Sequence, residues 1–288
     1  MGIDAKPPLE AAAILLDAQR DAAASVGPAL SNIVSASSIA IKTLQGRGRL
    51  VYAGAGSSGL IAMMDALELP GTYGISRDQI VVLMAGGAAI CQDLQGGPED
   101  DVDLAWRDAA QAQLSAEDCV IVVAASGSTP YTCKIAEEAK RAGAKLVAVA
   151  NNAGTRIFNG ADVSIVLETP PEVISGSTRM GAGTAQKIAL NMFSTLTGIG
   201  LGHVHDGHMV NLRADNAKLR GRASRIVSAI TGLPEDEAGA WLDKADGSAK
   251  LAVLLAEGAA SVADAQENLA VNGGSLRRAR HERTGAAS

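Results

Sequence analysis

Apolar residues in the first part of the chain recur at helical spacing: Ile14, Leu15, Ala18 and Ala22, then Leu30, Ile33, Val34 and Ile41. Pro28 suits a helix start and divides the stretch into two helices, read as a packing layer or a dimer surface. From residue 50 the period changes. Short β-branched runs at 50–53, 80–84, 119–124, 145–150 and 163–167 alternate with helical patterns at 60–67, 102–114, 129–142 and up to about residue 199. This alternation predicts an α/β fold: a doubly wound parallel sheet of about five strands, with ligands beyond the C-terminal strand ends. Past residue 219 the pattern shifts to short helices between glycine turns. There Leu242, Gly247, Ser248 and Ala252 recur at a constant offset as Leu269, Gly274, Ser275 and Ala279. Three regions follow: N-terminal helices 1–46, an α/β domain 47–218 and a small all-helical subdomain 219–288 with two weak repeats.

Composition narrows the class. A chain of 288 residues, 47% of them apolar, can bury a substantial core, and 2% aromatic content leaves the packing to Ala, Gly, Val, Leu and Ile. The net charge of −6 argues against non-specific nucleic-acid binding. Cys91, Cys119 and Cys133 are scattered without metal-ligand spacing, so neither a disulfide framework nor a zinc site is expected. The N-terminus has no apolar signal core, and no uninterrupted apolar run reaches membrane-spanning length, which predicts a cytoplasmic protein without a membrane partner.

The chemistry-bearing stretches lie at the strand ends. Gly54-Ala-Gly-Ser-Ser-Gly59 follows the first strand, and Ala125-Ser-Gly-Ser-Thr-Pro130 follows the third. Glycines let the backbone approach a ligand, and free amides at a helix start favour an anion, so two hydroxyl-rich loops suggest a phosphorylated small molecule. The first loop formally matches the dinucleotide pattern G-x-G-x-x-G. That reading needs an acidic residue at the end of the second strand, which instead ends in Ala85-Gly-Gly87. Glu68 precedes Pro70-Gly71, which should end its helix and leave the carboxylate at the unfavourable, negative end of the dipole. Glu99, Asp100 and Asp101, taken alone, read as helix caps. The polar loop 170–187 holds Arg179 and Lys187, suited to a sugar or phosphate. Gly202-His-Val-His-Asp-Gly-His208 superficially resembles a metal cluster but reads as polar linker.

The two loops together resemble the sugar isomerase (SIS) fold. More narrowly, Asp65-Ala-Leu-Glu-Leu-Pro-Gly-Thr-Tyr-Gly74, Gly97-Pro-Glu-Asp-Asp101, Pro171-Glu-Val-Ile-Ser-Gly-Ser-Thr-Arg-Met180 and Ala182-Gly-Thr-Ala-Gln-Lys187 resemble the N-acetylmuramic acid 6-phosphate etherases. The resemblance implies cofactor-free cleavage of the lactyl ether, in cell-wall recycling, to N-acetylglucosamine 6-phosphate and D-lactate. It implies Glu68 and Glu99 as the catalytic pair, overriding the capping reading of Glu99; within that pair the helix-end position, which favours a neutral carboxyl, assigns Glu68 as proton donor and leaves Glu99 as proton acceptor. Ser57, Ser58, Ser126, Ser128 and Thr129 become the candidates for phosphate and hydroxyl binding, with Ser177, Thr178 and Arg179 closing the site. A homodimer is also implied. Leu60 and Gly181 stand where the family carries basic residues, and the family's N-terminal opening is absent; these departures bear on phosphate contacts and substrate preference. Other classes open to this architecture are a non-catalytic phosphosugar sensor and an aldose–ketose isomerase.

Overall fold

The computed structural model describes residues 2–94, 96–212 and 217–285. They fall into two compact units: residues up to Leu67 with Asp78–Thr195, and Glu68–Arg77 with the chain from Leu196 onward. The helical unit therefore takes in more of the chain than the composition shift at 219 suggests, while the N-terminal helices belong to the first unit.

In the first unit, α1 (Pro8–Ala24) and α2 (Leu30–Gln45) precede strand β1 (Leu50–Gly54), helix α3 (Gly56–Tyr73) and β2 (Ile80–Met84). A single turn α4 (Gly97–Asp100) and helix α5 (Val102–Ala112) lead to β3 (Cys119–Ala124), α6 (Pro130–Arg141), β4 (Lys145–Ala150), β5 (Val163–Val166) and α7 (Gly181–Gly200). The five strands pair in parallel in the order β2-β1-β3-β4-β5. Sheet order reverses between β1 and β3, and a crevice opens outside the C-terminal ends of such a pair. Gly54 at the end of β1 is in register with Val123 of β3, so the two hydroxyl-rich loops leave the sheet side by side at that reversal.

Every residue of β1 and β3 is buried, as expected of strands covered by helices on both faces. One face packs Val51, Ala53, Val120 and Val122 against Tyr131 and Ile135 of α6 and Ala105 and Ala109 of α5. Tyr52, pointing to the opposite face, meets Phe193 of α7 edge-on, with ring centroids 6.4 Å apart. Each fully buried Val, Leu or Ile contributes about 1.5–3 kcal/mol, so small side chains in number replace the missing aromatics. The stretch Pro8–Gln45 is apolar enough by length and composition to cross a membrane. It is two helices divided by a 3-10 turn at Gly27–Ala29, and Ile33, Ala36, Ala40 and Leu44 of α2 are buried core residues.

α3 departs from the sequence expectation. Pro70 lies inside the helix, which runs on to Tyr73 and ends at Gly74, whose φ is +64°. Proline removes one helical hydrogen bond. Here the burial of Leu69 and Tyr73 outweighs that loss. Gly74 is the residue that can take the left-handed conformation of a helix end.

In the second unit, the 202–208 segment is no linker. Val204–His205 and His208–Met209 form a two-stranded hairpin, β6–β7, turned by Asp206 and Gly207, both at positive φ. Helices α8 (Ala217–Thr231), α9 (Glu235–Lys244), α10 (Ala249–Ala256), α11 (Val262–Val271) and α12 (Leu276–Gly285) complete the unit. The repeat has a structural meaning. The Gly247 amide bonds the Leu242 carbonyl at 2.9 Å, and the Gly274 amide bonds the Leu269 carbonyl at 2.7 Å. In each copy the next serine stands at the start of the following helix, and Ala252 and Ala279 are fully buried.

Candidate active site

The first loop is short because a single residue, Ala55, separates the end of β1 at Gly54 from the start of α3 at Gly56. A Cβ on Gly54 would lie 2.8 Å from the Gly59 Cα, so glycines at both positions let the strand end press on the first helical turn. Ser57 is half-buried and Ser58 buried in that turn. Gly56 has φ +53°, and a Cβ there would sit 2.6 Å from Glu99 Oε1. The structure thus brings Glu99 directly against the first loop.

Glu99 reaches that place from α4, a turn too short to be the start of α5. Asp101 caps α5, accepting a 2.7 Å hydrogen bond from the Leu104 amide. Capping therefore belongs to Asp101, which leaves Glu99 half-buried and turned to the loop. Burial, and secondarily the charge of Asp100, raise the Glu99 carboxyl above the usual carboxylate range.

The second loop is a cluster of hydroxyls. Ser126 Oγ accepts from the Ser128 amide at 3.2 Å and bonds Ser128 Oγ at 3.2 Å and Thr129 Oγ1 at 3.4 Å. Ser126 and Ser128 are exposed, at the N-terminus of α6, where free amides and the dipole favour an anion. Ser177, Thr178 and Arg179 sit on the loop entering α7, with Thr178 and Arg179 exposed. Arg179 has no ion-pair partner among the described residues.

Glu68 lies in the second unit, exposed on α3. It is in the body of the helix rather than in its last turn, so the dipole argument for Glu68 as proton donor does not hold. In that same unit the hairpin imidazoles are held by protein contacts. His203 hydrogen-bonds the Tyr73 backbone, and burial lowers its pKa to about 4. His205 Nε2 lies 2.8 Å from an Arg280 guanidinium nitrogen. Cys119 and Cys133 are buried free thiols; the Cys91 side chain lies outside the described residues.

Two further carboxylates of the first unit carry no role in the sequence reading. Asp65 is buried and accepts from Tyr52 Oη, Asn191 Nδ2 and Ser194 Oγ, each at 2.9 Å, pinning α3 to β1 and α7. Glu172 accepts 2.9 Å bonds from the Gly181 and Ala182 amides. Their partners are distant in sequence or on the main chain, and no local spacing signals them.

Residues 20–151 match the SIS domain model. A curated N-acetylmuramic acid 6-phosphate etherase of Deinococcus radiodurans is 39% identical over 275 residues, spanning 96% of this chain and 90% of that protein. One of Symbiobacterium thermophilum is 42% identical over 252 residues, spanning 88% of this chain and 84% of that protein. The solved structure of a phosphoheptose isomerase from Neisseria gonorrhoeae has a TM-score of 0.50 at 14% identity and covers 65% of this chain and 96% of that one, a likeness of fold. With relatives this similar over nearly the whole chain, the protein belongs to the N-acetylmuramic acid 6-phosphate etherase family.

Proposed function

We propose that the chain is a lyase that cleaves the D-lactyl ether of N-acetylmuramic acid 6-phosphate, giving N-acetylglucosamine 6-phosphate and D-lactate in cell-wall recycling. The observation that carries this reading is the Glu99 carboxylate lying against Gly56 of a hydroxyl-rich loop at the sheet's switch point. A phosphosugar-binding loop with a raised carboxyl beside it is suited to proton transfer on a sugar.

With the sugar ring open, the C2 proton is acidic because it lies α to the C1 aldehyde. Glu99 takes that proton, the electron pair forms the C2–C3 double bond, and the C3–oxygen bond to lactate breaks. Glu68 gives the departing oxygen its proton. Glu68, now ionised, takes a proton from water as the hydroxyl adds to C3, and Glu99 returns its proton to C2. Atoms and charge balance over the cycle. Burial supports Glu99 as the base, since a carboxylate of raised pKa is a stronger proton acceptor. Glu68 takes the donor role as the second carboxylate of the pair. Ser57, Ser58, Ser126, Ser128 and Thr129 bind phosphate and sugar hydroxyls, with Ser177, Thr178 and Arg179 closing over them.

The enzyme works as a homodimer in the cytoplasm, without nucleic-acid or membrane partners. Exposed Leu9 and Leu16 on α1 and Leu30 and Val34 on α2 support a second copy as their cover. The test is incubation with N-acetylmuramic acid 6-phosphate and an assay for D-lactate. Release of lactate is expected; tight phosphosugar binding with no lactate would make the chain a sensor, and ketose formation an isomerase.

A further inference from the structure

Both Glu172 oxygens are engaged, Oε2 by the Gly181 amide and Oε1 by the Ala182 amide, each at 2.9 Å. These are the first two amides of a helix of 20 residues, where unpaired N–H groups and the dipole attract a negative charge. Between Glu172 and Gly181 the chain makes an excursion, 173–180, that carries Ser177, Thr178 and Arg179. The excursion has some bonds of its own: Ser177 N to Ile174 O at 2.9 Å, Thr178 N to Gly176 O at 3.0 Å and Met180 N to Ser177 O at 3.2 Å. These fold the loop upon itself. The Glu172 carboxylate ties the loop's entry to its exit, beside Asn151, whose Nδ2 donates to Leu167 O at 3.2 Å, Thr169 Oγ1 at 3.4 Å and Ala182 O at 3.5 Å, and the Gly183 amide, which donates to Thr178 O at 2.9 Å.

Gly181 fits this reading. It has no positive φ, so its backbone does not demand glycine, yet a Cβ there would stand 3.2 Å from Glu172 Oε2. A Cβ there would ask the carboxylate to give by only a few tenths of an ångström. A second consequence concerns the anion. The N-terminus of α7 is already filled by a fixed carboxylate, so a phosphate is directed to the hydroxyl loops.

We infer that Glu172 is a positioning residue for substrate binding, closing the 173–180 loop through the α7 amides so that Ser177, Thr178 and Arg179 are held ready for the phosphosugar; this rests on the etherase reading. Because those residues hold substrate and do not exchange protons with it, loosening the loop weakens binding of ground and transition states alike. The expected signature is a change in KM much larger than that in kcat.

The experiment compares the native chain with Glu172→Ala and Glu172→Gln, the latter keeping one acceptor oxygen. Lactate release should show KM about tenfold higher in Glu172→Ala, with kcat falling less than threefold, and an intermediate KM in Glu172→Gln. Hydrogen exchange followed by mass spectrometry should be faster in peptides covering 173–182, and thermal melting identifies a variant that does not fold. A KM within twofold of native in the folded Glu172→Ala variant, or unchanged exchange over 173–182, overturns the inference. If the native chain releases no lactate, the etherase reading fails separately. Calorimetric titration with N-acetylglucosamine 6-phosphate then decides the positioning role, about tenfold weaker binding to Glu172→Ala supporting it and equal binding overturning it.

Discussion

Glu99 Oε1 lies 2.6 Å from the point where a Cβ on Gly56 would stand, and Gly56 itself has φ +53°. Glycine is therefore required at residue 56 twice over, by its backbone and by its neighbour. Gly56→Ala forces a left-handed alanine, costing about 1–2 kcal/mol, and displaces the Glu99 carboxylate. The expected result is a lower melting temperature and a fall in kcat/KM of at least about tenfold, since misplacing a reacting group by an ångström is costly. Kinetics of lactate release beside a thermal melt check it.

The division of labour between the two glutamates is open to an isotope test. In deuterated water, Glu68→Gln should still exchange the C2 hydrogen of the substrate while releasing lactate about 10²–10⁴-fold more slowly. Glu99→Gln should neither exchange nor release. Exchange by Glu99→Gln and none by Glu68→Gln, read by proton NMR, would reverse the assignment.

The pH profile follows from the burial of Glu99. A base must be ionised, and Glu99 protonates as pH falls through a pKa raised by burial and by Asp100. The acid limb of log kcat/KM should accordingly lie above the ordinary carboxylate value of about 4.3. Asp100→Asn removes the repelling charge and should move that limb to lower pH. An acid limb that stays in place on this substitution would argue that Glu99 is not the group titrating.

Asp118 joins the starts of two strands. It accepts from the Arg49 amide at 3.0 Å and from its guanidinium at 3.0 and 2.7 Å, and from the Ser115 amide at 2.9 Å. Burial alone would raise this carboxyl, but the Arg49 and Ser115 bonds hold it below the usual range. A lowered folded pKa contributes stability that is present above the unfolded value, about 3.9, and is lost as pH falls through the folded one. Asp118→Asn should thus destabilise the protein by about 2 kcal/mol at neutral pH, with the difference narrowing in acid. Denaturant unfolding at several pH values measures it.

Much of this molecule was legible in its sequence because the deciding forces are local. A β-branched run of five or six residues followed by a helical period specifies strand and helix, and strands separated by helices specify parallel order; the strand positions agree with the sheet to within a residue or so. The glycine-serine loops were legible for the same reason, since left-handed backbone and free helix amides depend on neighbours in the chain. Pro70 and the 202–208 segment were misread because the competing term was tertiary. Burial of Leu69 and Tyr73 carries α3 past its proline, and the hairpin at His205 is held by an arginine 75 residues away.

The carboxylates separate the two kinds of information most clearly. The sequence by itself marked Glu68 and Glu99 through resemblance and offered capping as the plain alternative for Glu99. Only the tertiary structure assigned the cap to Asp101, turned Glu99 onto Gly56, gave Asp65 its partners 126 and 129 residues away, and set Glu172 on the amides of α7. Chain pattern determines which elements form, because their hydrogen bonds and side-chain periods close over a few residues. What a charged group does depends on what is packed against it, and that is decided when distant segments meet.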